Sequence, residues 1–262
     1  MEKKQFSDKT IIITGGAGDI GLATAVRFGK EGANVALIDV KEMTTAAFSI
    51  AKTGARVTTY TCDVTNYKQV EDTIEKIAKD FGQIDMLFNN AGVQGLFKQI
   101  HTYPVDDFAQ VIHINLIGAF HVLRAVSAYM VAHGGGNIVN TASMAGVDGP
   151  VNMVAYGASK FAMIGMTQTA AKDLAPFKIR VNSISPGFMG PGFMWDRQVD
   201  LQAAVGSQYY DTNREVVAEQ MIKAVPMRRY GLIEEIPGTV VYLMSDDASY
   251  ITGVNIKLSG GI

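Results

Sequence analysis

The sequence predicts an α/β protein, a single domain built around a doubly wound, Rossmann-type parallel sheet with helices on both faces. Seven short segments rich in β-branched residues alternate with helical patterns, which is the order of strands joined by helical crossovers. Segments 11–13 and 35–38 are continuously apolar, as in strands buried on both faces. A glycine-rich loop directly follows the first segment. The predicted strands are Thr10–Thr14, Asn34–Asp39, Arg56–Cys62, Ile84–Asn89, Gly136–Thr141, Ile179–Ile184 and Val254–Leu258.

Composition indicates a compact soluble protein. Of the 262 residues, 48% are hydrophobic and 18% are charged, which suits a sizeable core and argues against disorder. The net charge of −2 offers no basic field to attract nucleic acid or an acidic membrane. The single cysteine, Cys62, allows no internal disulfide, and we recognise neither a signal peptide nor a run of about 18 apolar residues. We expect one cytoplasmic domain over residues 1–262, with no nucleic-acid or membrane partner.

The glycine-rich loop, Thr14–Gly21, reads TGGAGDIG and fits the dinucleotide-binding pattern G-x-G-x-x-G at Gly16, Gly18 and Gly21. It lies between a strand and a helix, where a pyrophosphate can bind the helix N-terminus. Asp39 ends the second strand about 20 residues further on, where a carboxylate accepts hydrogen bonds from the ribose hydroxyls. Such a carboxylate repels a 2′-phosphate, so the pattern predicts NAD rather than NADP. The alternative is a structural turn followed by a surface aspartate.

Asp19 is unusual in this loop. If the loop is read as T-G-x-x-x-G-x-G, Asp19 stands where the pattern has a glycine. Aspartate visits the left-handed backbone region more readily than most residues and is a good helix N-cap. We therefore expect Asp19 to supply the missing glycine's backbone geometry and to point its carboxylate away from the pyrophosphate.

Four further residues form a candidate catalytic set: Asn115, Ser143, Tyr156 and Lys160. Tyrosine and lysine four residues apart share one face of a helix. At about 4 Å and an effective dielectric near 20, the ammonium favours the phenolate by about 4 kcal/mol, or roughly three pKa units. That brings the phenol towards neutrality, where it can act as a general base or acid. For each residue taken alone, a structural role is the alternative: an exposed helix face, a turn, or a partner for backbone groups. The ordered set as a whole favours catalysis.

Together these residues resemble the short-chain dehydrogenase/reductase family, over essentially the whole chain. The resemblance includes Cys62-Asp63-Val64, Asn89-Asn90-Ala91-Gly92 and Pro186-Gly187. It implies a seven-stranded sheet, a nicotinamide cofactor, and a homotetramer formed through helices near 104–132 and 155–175 and the C-terminal strand.

The resemblance also implies roles for the candidate residues. Tyr156 transfers the proton, Ser143 positions the substrate oxygen, Lys160 lowers the tyrosine pKa and binds the nicotinamide ribose, and Asn115 holds a water. Asp63 contacts adenine, and the backbone near Pro186–Met189 faces the carboxamide. Pro191 departs from the family pattern, which often has a threonine there. The implied cofactor-binding set is Gly15, Gly18, Asp19, Ile20, Gly21, Asp39, Asp63, Val64, Asn90, Ala91, Gly92, Tyr156, Lys160, Pro186, Gly187 and Met189.

A substrate lid is expected around 186–225, where the Gly-, Met- and aromatic-rich stretch 186–211 resembles a long irregular connection. Besides Ser143 and Tyr156, we name Gln94, Asn152 and Asp148 as candidates for binding substrate hydroxyls. For Gln94 and Asn152 the equal alternative is to satisfy loop backbone. The lid aromatics either pack the lid and a subunit interface or line an apolar pocket; they are Phe188, Met189, Phe193, Met194, Trp195, Tyr209 and Tyr210.

Segments outside the common motifs resemble NAD-dependent polyol dehydrogenases of this family. They imply hydride transfer between NAD and a secondary alcohol, most of all a sugar alcohol such as xylitol. The rivals are the same chemistry on a hydroxysteroid, a cyclic alcohol or a 3-oxoacyl substrate, and a non-catalytic dinucleotide-binding module. His101 and His113 are expected to be structural, and no spacing predicts a catalytic metal.

Overall fold

A computed structural model describes residues 4–262. Its main sheet has seven strands in the order β3-β2-β1-β4-β5-β6-β9, all parallel. The strand order reverses between β1 and β4, and ligands of such sheets bind in the crevice at that point, beyond the carboxyl ends of the strands. The main-sheet strands are β1 (Thr10–Thr14), β2 (Asn34–Asp39), β3 (Val57–Thr61), β4 (Met86–Asn89), β5 (Gly136–Thr141), β6 (Ile179–Pro186) and β9 (Asn255–Leu258).

Helices cover both faces of this sheet, and two short strands form a separate pair. The pair consists of β7 (Met189–Gly190) and β8 (Gly231–Leu232). The α-helices of the described chain are α1 (Asp19–Lys30), α2 (Thr44–Ala51), α3 (Tyr67–Phe81), α4 (Val105–Ile112), α5 (Ala119–Ala132), α6 (Val154–Leu174), α7 (Phe193–Val205), α8 (Arg214–Ala224) and α9 (Ile236–Met244).

The first strand shows how the two faces are packed. Ile11 and Ile13 are fully buried against a cluster that includes α1 and α9. Ile12, between them, is fully buried in a second cluster with α3 and α5. A strand whose successive side chains point to opposite faces must be apolar throughout when both faces are covered. The predicted fold class, including the seven-stranded parallel sheet, is therefore confirmed.

The strand boundaries differ from the prediction by one or two residues at several ends. The third strand covers Val57–Thr61 rather than Arg56–Cys62, the fourth begins at Met86, the sixth continues to Pro186, and the last begins at Asn255. Strand ends are the least certain feature of sequence patterns because they depend on neighbouring strands.

The segment 186–211 is not the long irregular connection that its composition predicts. Helix α7 occupies half of it, and Trp195, Val199 and Ala203, spaced by four residues, form its buried face. That face packs on Val217 and Met221 of α8, so the lid region has a small core of its own. The glycines and proline before α7 concealed this helical spacing.

The stretch Val105–Ala132 is long and apolar enough to cross a membrane, with 44% of its apolar window buried. In this structure it consists of α4, a π-helical turn at His113–Gly118, and α5. The inner face of α5 packs in the core beneath the sheet through Val122, Val126 and Met130. The π-helical turn brings Asn115 to the end of β4, beside the candidate site.

Candidate active site

The glycine-rich loop forms a cradle with no room for a side chain at Gly15 or Gly21. Gly15 has a φ of +68°, and a Cβ there would lie 3.0 Å from Asn90 Nδ2 and 3.1 Å from Ala91 Cα. A Cβ on Gly21 would lie 2.2 Å from the Gly15 carbonyl oxygen. Gly18 is the N-cap of α1, so the unpaired N–H groups of the first helical turn lie at the mouth of this cradle. The residues fit the pyrophosphate of a dinucleotide.

Thr14 and Asn90 tie the loop to the neighbouring strand ends. Thr14 Oγ1 accepts hydrogen bonds from the N–H groups of Asn90 (2.8 Å) and Ala91 (3.0 Å). Asn90 Nδ2 donates to the Thr14 carbonyl (3.1 Å), and its Oδ1 accepts from Thr141 Oγ1 (3.1 Å). These bonds join the ends of β1, β4 and β5 into one surface. Thr14 and Thr141 were not among the predicted site residues, since an isolated threonine gives no sequence signal.

Asp39 lies where the sequence predicts, at the last position of β2. Its Oδ2 accepts from the Ala17 N–H (3.0 Å), and its Oδ1 accepts from the Lys41 N–H (3.0 Å). The carboxylate is therefore fixed against the glycine-rich loop. Its position at the edge of the cradle fits recognition of ribose hydroxyls and disfavours a 2′-phosphate.

The backbone role predicted for Asp19 is wrong. Gly18 is the N-cap, in extended conformation, and Asp19 is the first residue of α1. Asp19 has no positive φ; the left-handed position in the loop belongs to Gly15. The Asp19 side chain is exposed, and its Oδ2 faces Gly192 at the start of α7. A helical N-terminal position suits aspartate without any unusual backbone, which explains why the glycine can be dispensed with here.

The remaining predicted cofactor residues border the same edge of the sheet or support it. Asp63 is exposed and accepts from the N–H and hydroxyl of Thr65, while Val64 is buried against Gly118.

A Cβ on Gly92 would lie 3.1 Å from Asn115 Oδ1 and 3.7 Å from Lys160 Nζ, which places Gly92 beside the candidate catalytic set. Further along, the Pro186 carbonyl lies 3.5 Å from Ser143 Oγ. The side chain of Met189 lies in the main core, and that of Ile20 packs against the same cluster, so only the backbone of these two residues is available to a cofactor. Gly187 packs against Ser259.

Asn115 is fully buried, and protein groups use both of its N–H donors. Nδ2 donates to the Val93 carbonyl (2.8 Å) and to Ser159 Oγ (3.1 Å), while Oδ1 accepts from the Val93 N–H (2.8 Å). Ser159 in turn donates to the Tyr156 carbonyl (2.8 Å). An amide oxygen has two lone pairs, so Asn115 can hold a water only as an acceptor. Ser159 is a supporting residue that the sequence analysis did not identify.

Ser143, Tyr156 and Lys160 come together at the ends of β5 and α6. The Ser143 hydroxyl lies close enough to the Tyr156 phenol to lower its pKa. Lys160 Nζ lies 5.6 Å from the centre of the Tyr156 ring and donates to the Thr141 carbonyl (2.7 Å). Lys160 is only 4% exposed, so its ammonium is held in an environment of low dielectric.

The electrostatic balance at the tyrosine differs from the prediction. Burial raises the pKa of Tyr156, and the nearby Ser143 hydroxyl opposes that increase only in part. Burial also lowers the pKa of Lys160 to about 8. The predicted decrease rests on the attraction between the two charges at about 4 Å alone, whereas desolvation disfavours the charged form of both groups.

Gln94 and Asn152 contact the lid through their side chains. Gln94 Oε1 accepts from Arg197 (3.0 Å), and its Nε2 donates to Gln198 (3.4 Å). Asn152, with a φ of +66°, donates to Gln202 Oε1 (2.8 Å) and Ser207 Oγ (3.1 Å). Helix α7 is thus held over the site by a polar network that includes Gln202, which is 2% exposed. The sequence did not single out Arg197, Gln198 and Gln202, because long polar side chains on a helix usually indicate a solvent-facing surface.

Most lid aromatics pack within the lid. Trp195 lies 6.0 Å from Phe188 and 5.2 Å from Tyr230, measured between ring centres, and Tyr210 joins the same cluster. Phe193 and Tyr209 are exposed, and Met194 is 36% exposed.

The side chains of Asp148, His101 and His113 are also exposed. Within residues 4–262, no group of three His, Cys, Asp or Glu side chains is placed to hold a metal ion.

Comparison with known proteins identifies the family of this chain. Residues 9–201 match the family model of the short chain dehydrogenases. The fold superimposes on a crystal structure of NAD⁺-bound xylitol dehydrogenase with a TM-score of 0.98, at 56% identity over 98% of this chain and 100% of that one. Levodione reductase of Leifsonia aquatica is 36% identical over 98% of this chain and 95% of its own length. The NAD-dependent glycerol dehydrogenase of Listeria innocua is 36% identical over 98% of this chain and 94% of its own.

The chain belongs to the short-chain dehydrogenase family and is an oxidoreductase. The predicted family and fold are confirmed by the match to the family model and to the solved structures. NAD, predicted from Asp39, is the cofactor named for two of these relatives.

Proposed function

We propose that this protein is an NAD-dependent dehydrogenase of sugar alcohols, with xylitol as the leading substrate. The observation that carries this proposal is the chemistry of the lid. Its aromatic residues are used mainly in its own core, whereas Arg197, Gln198 and Gln202 of α7 direct polar groups to the loops at Gln94 and Asn152. These groups are paired with one another, so they give the lid a polar rather than an apolar contact with the loops around the site, which suits a substrate with several hydroxyls. The 56% identity to xylitol dehydrogenase supports the same substrate.

In the proposed mechanism, bound NAD would supply the nicotinamide ring that accepts a hydride from the carbinol carbon of the substrate. Tyr156 takes the proton from the substrate hydroxyl, and the Ser143 hydroxyl donates to the same substrate oxygen. Lys160 favours the phenolate by its charge, and it is held in place by the Thr141 carbonyl. Asn115 fixes the loop at Val93 and accepts from a water that carries the proton onward. In reduction, the same groups act in the opposite direction.

A bulkier alcohol is the second candidate substrate. Phe193, Met194 and Tyr209 are exposed on the lid, and they would line an apolar wall for a hydroxysteroid or cyclic alcohol. The sugar alcohol is favoured because Phe188, Trp195 and Tyr210, the rest of the predicted wall, lie in the lid core.

The test is a substrate panel followed by absorbance of reduced nicotinamide. Xylitol, sorbitol, mannitol and ribitol are compared with a cyclic alcohol and a hydroxysteroid, each with NAD and with NADP. We expect the highest kcat/KM for a sugar alcohol with NAD. Turnover of the bulky alcohols alone would refute the polyol assignment, and NADH binding without turnover of any alcohol or ketone would indicate a binding module.

We further propose that the protein is a cytoplasmic homotetramer. Exposed apolar residues follow the outer surface of the predicted interface helices, among them Phe120 on α5 and Phe161 on α6. Phe161 also borders a groove of about 630 Å³, together with Ile100, Tyr209 and the outer face of α6. Apolar surface of this kind is typical of subunit contacts. A tetramer mass in light scattering would agree with the proposal, and a monomer mass would contradict it.

A further inference from the structure

Asp19 joins the glycine-rich loop to the beginning of the lid helix. A Cβ built on Gly192 would lie 3.1 Å from Asp19 Oδ2, so the carboxylate is packed against the backbone at that position. Gly192 is the N-cap of α7, and no side chain caps the helix from within its own segment. Its φ of +137° and ψ of −179° are open to glycine and strained for other residues. The close approach therefore depends on both residues.

The position of Asp19 relates two helix N-termini. Asp19 is the first residue of α1, at whose N-terminus a pyrophosphate would bind, and its carboxylate lies beside Gly192, the N-cap of α7. The N-terminus of a helix carries partial positive charge, which a carboxylate stabilises. Turned towards α7, the carboxylate of Asp19 meets this positive charge.

We propose that Asp19 is a positioning residue. It holds the first turn of α7 against the glycine-rich loop, so that the position of the lid helix is coupled to that of the cofactor-binding loop. The other contacts of α7 are independent of it. Asp196 pairs with Arg214 on the exposed surface, Arg197 bonds to Gln94 and Gly95 just beyond the first turn, and Gln202 near the C-terminal end bonds to Asn152. Loss of the Asp19 carboxylate should therefore loosen the first turn of α7 and leave its C-terminal end in place.

Hydrogen–deuterium exchange tests this directly, because the Asp196 N–H donates to the Gly192 carbonyl (3.1 Å) and closes the first turn. Amides of residues 196–199 are followed in Asp19→Gly and Asp19→Asn, with and without NADH. One carboxylate at a helix N-terminus corresponds to a roughly two- to fivefold change in the opening equilibrium. We expect exchange to increase by that factor in Asp19→Gly, by less in Asp19→Asn, and not at residues 202–207.

The matched control is Glu219→Gln, which removes an exposed carboxylate of α8 that pairs with Lys223 on the same helix. It should leave exchange at 196–199 unchanged. NADH affinity is measured by fluorescence on the same variants. If both Asp19 variants bind NADH more tightly while exchange at 196–199 stays as in the wild type, the carboxylate acts only as a repulsive charge and the proposal is overturned. Neither readout depends on which alcohol is the substrate.

Discussion

Replacing Lys160 by methionine should inactivate the enzyme and make its fold more stable. Burial lowers the pKa of Lys160 from 10.5 to about 8, which corresponds to a cost of about 3 kcal/mol for keeping the ammonium charged at neutral pH. Methionine removes this cost and the hydrogen bond to the Thr141 carbonyl, a charge-assisted bond contributing about 2 kcal/mol. The expected net gain is about 1 kcal/mol, or an increase in Tm of about 2–4 °C.

The pH dependence gives this prediction a distinctive sign. Below about pH 8 the lysine is charged in both the folded and the unfolded state, so the folded wild type bears the full cost. Between about pH 8 and 10.5 the unfolded state holds the proton that the folded state has released, so wild-type stability rises with pH in this window. The advantage of the variant should therefore be largest at pH 7 and should be lost by pH 9.5, where the wild type has regained about 2 kcal/mol.

Thermal unfolding at both pH values, at equal protein concentration, measures this difference. Lys172→Met is the control, because Lys172 is an exposed lysine on the same helix; its Tm should differ little from that of the wild type at either pH. A Lys160→Met variant that is less stable than the wild type at pH 7, or whose advantage is the same at pH 9.5, would refute the argument that burial dominates at this lysine.

Two further substitutions test the site. Asp39→Ser removes the carboxylate at the end of β2 that would repel a 2′-phosphate, so the ratio of kcat/KM with NADP to that with NAD should rise about tenfold or more; an unchanged ratio would contradict the account of cofactor choice. Tyr156→Phe should lower kcat by about 10²–10⁴-fold, the usual contribution of a general acid–base group, with NADH affinity within about threefold of the wild type. Tyr209→Phe, on the exposed lid surface, is its control, and a Tyr156→Phe enzyme with near-normal kcat would exclude the phenol as the proton acceptor.

Local sequence patterns were sufficient for the sheet and for naming residues that the fold brings together at the candidate site. Buried parallel strands require continuous apolar runs, as at Ile11–Ile13, and the glycine cradle requires residues without side chains at Gly15 and Gly21. Requirements of this kind act on residues close together in the chain, so they can be recognised in the sequence. Ser143, Tyr156 and Lys160 could be named because their order along the chain matches a family pattern.

Features that depend on contacts between distant segments were beyond the sequence. The helix α7 was hidden by the glycines before it, and its polar contacts pair residues about 50 to 100 positions apart, such as Asn152 with Gln202 and Gln94 with Arg197. The pKa of Tyr156 depends on how deeply the phenol is buried, a quantity that no spacing provides. The backbone role of Asp19 was predicted from the conformational preference of aspartate. Its contact with Gly192, which is distant in sequence, is visible only in the fold.

The most direct test of the central claim uses xylitol deuterated at its carbinol carbons, incubated with the enzyme and NAD. We predict that the reduced nicotinamide carries deuterium, that turnover is slower than with unlabelled xylitol, and that Tyr156→Phe forms almost no labelled product. Reduction of NAD without deuterium transfer, or no reduction by any sugar alcohol while another alcohol is oxidised, would contradict the proposed sugar alcohol dehydrogenase.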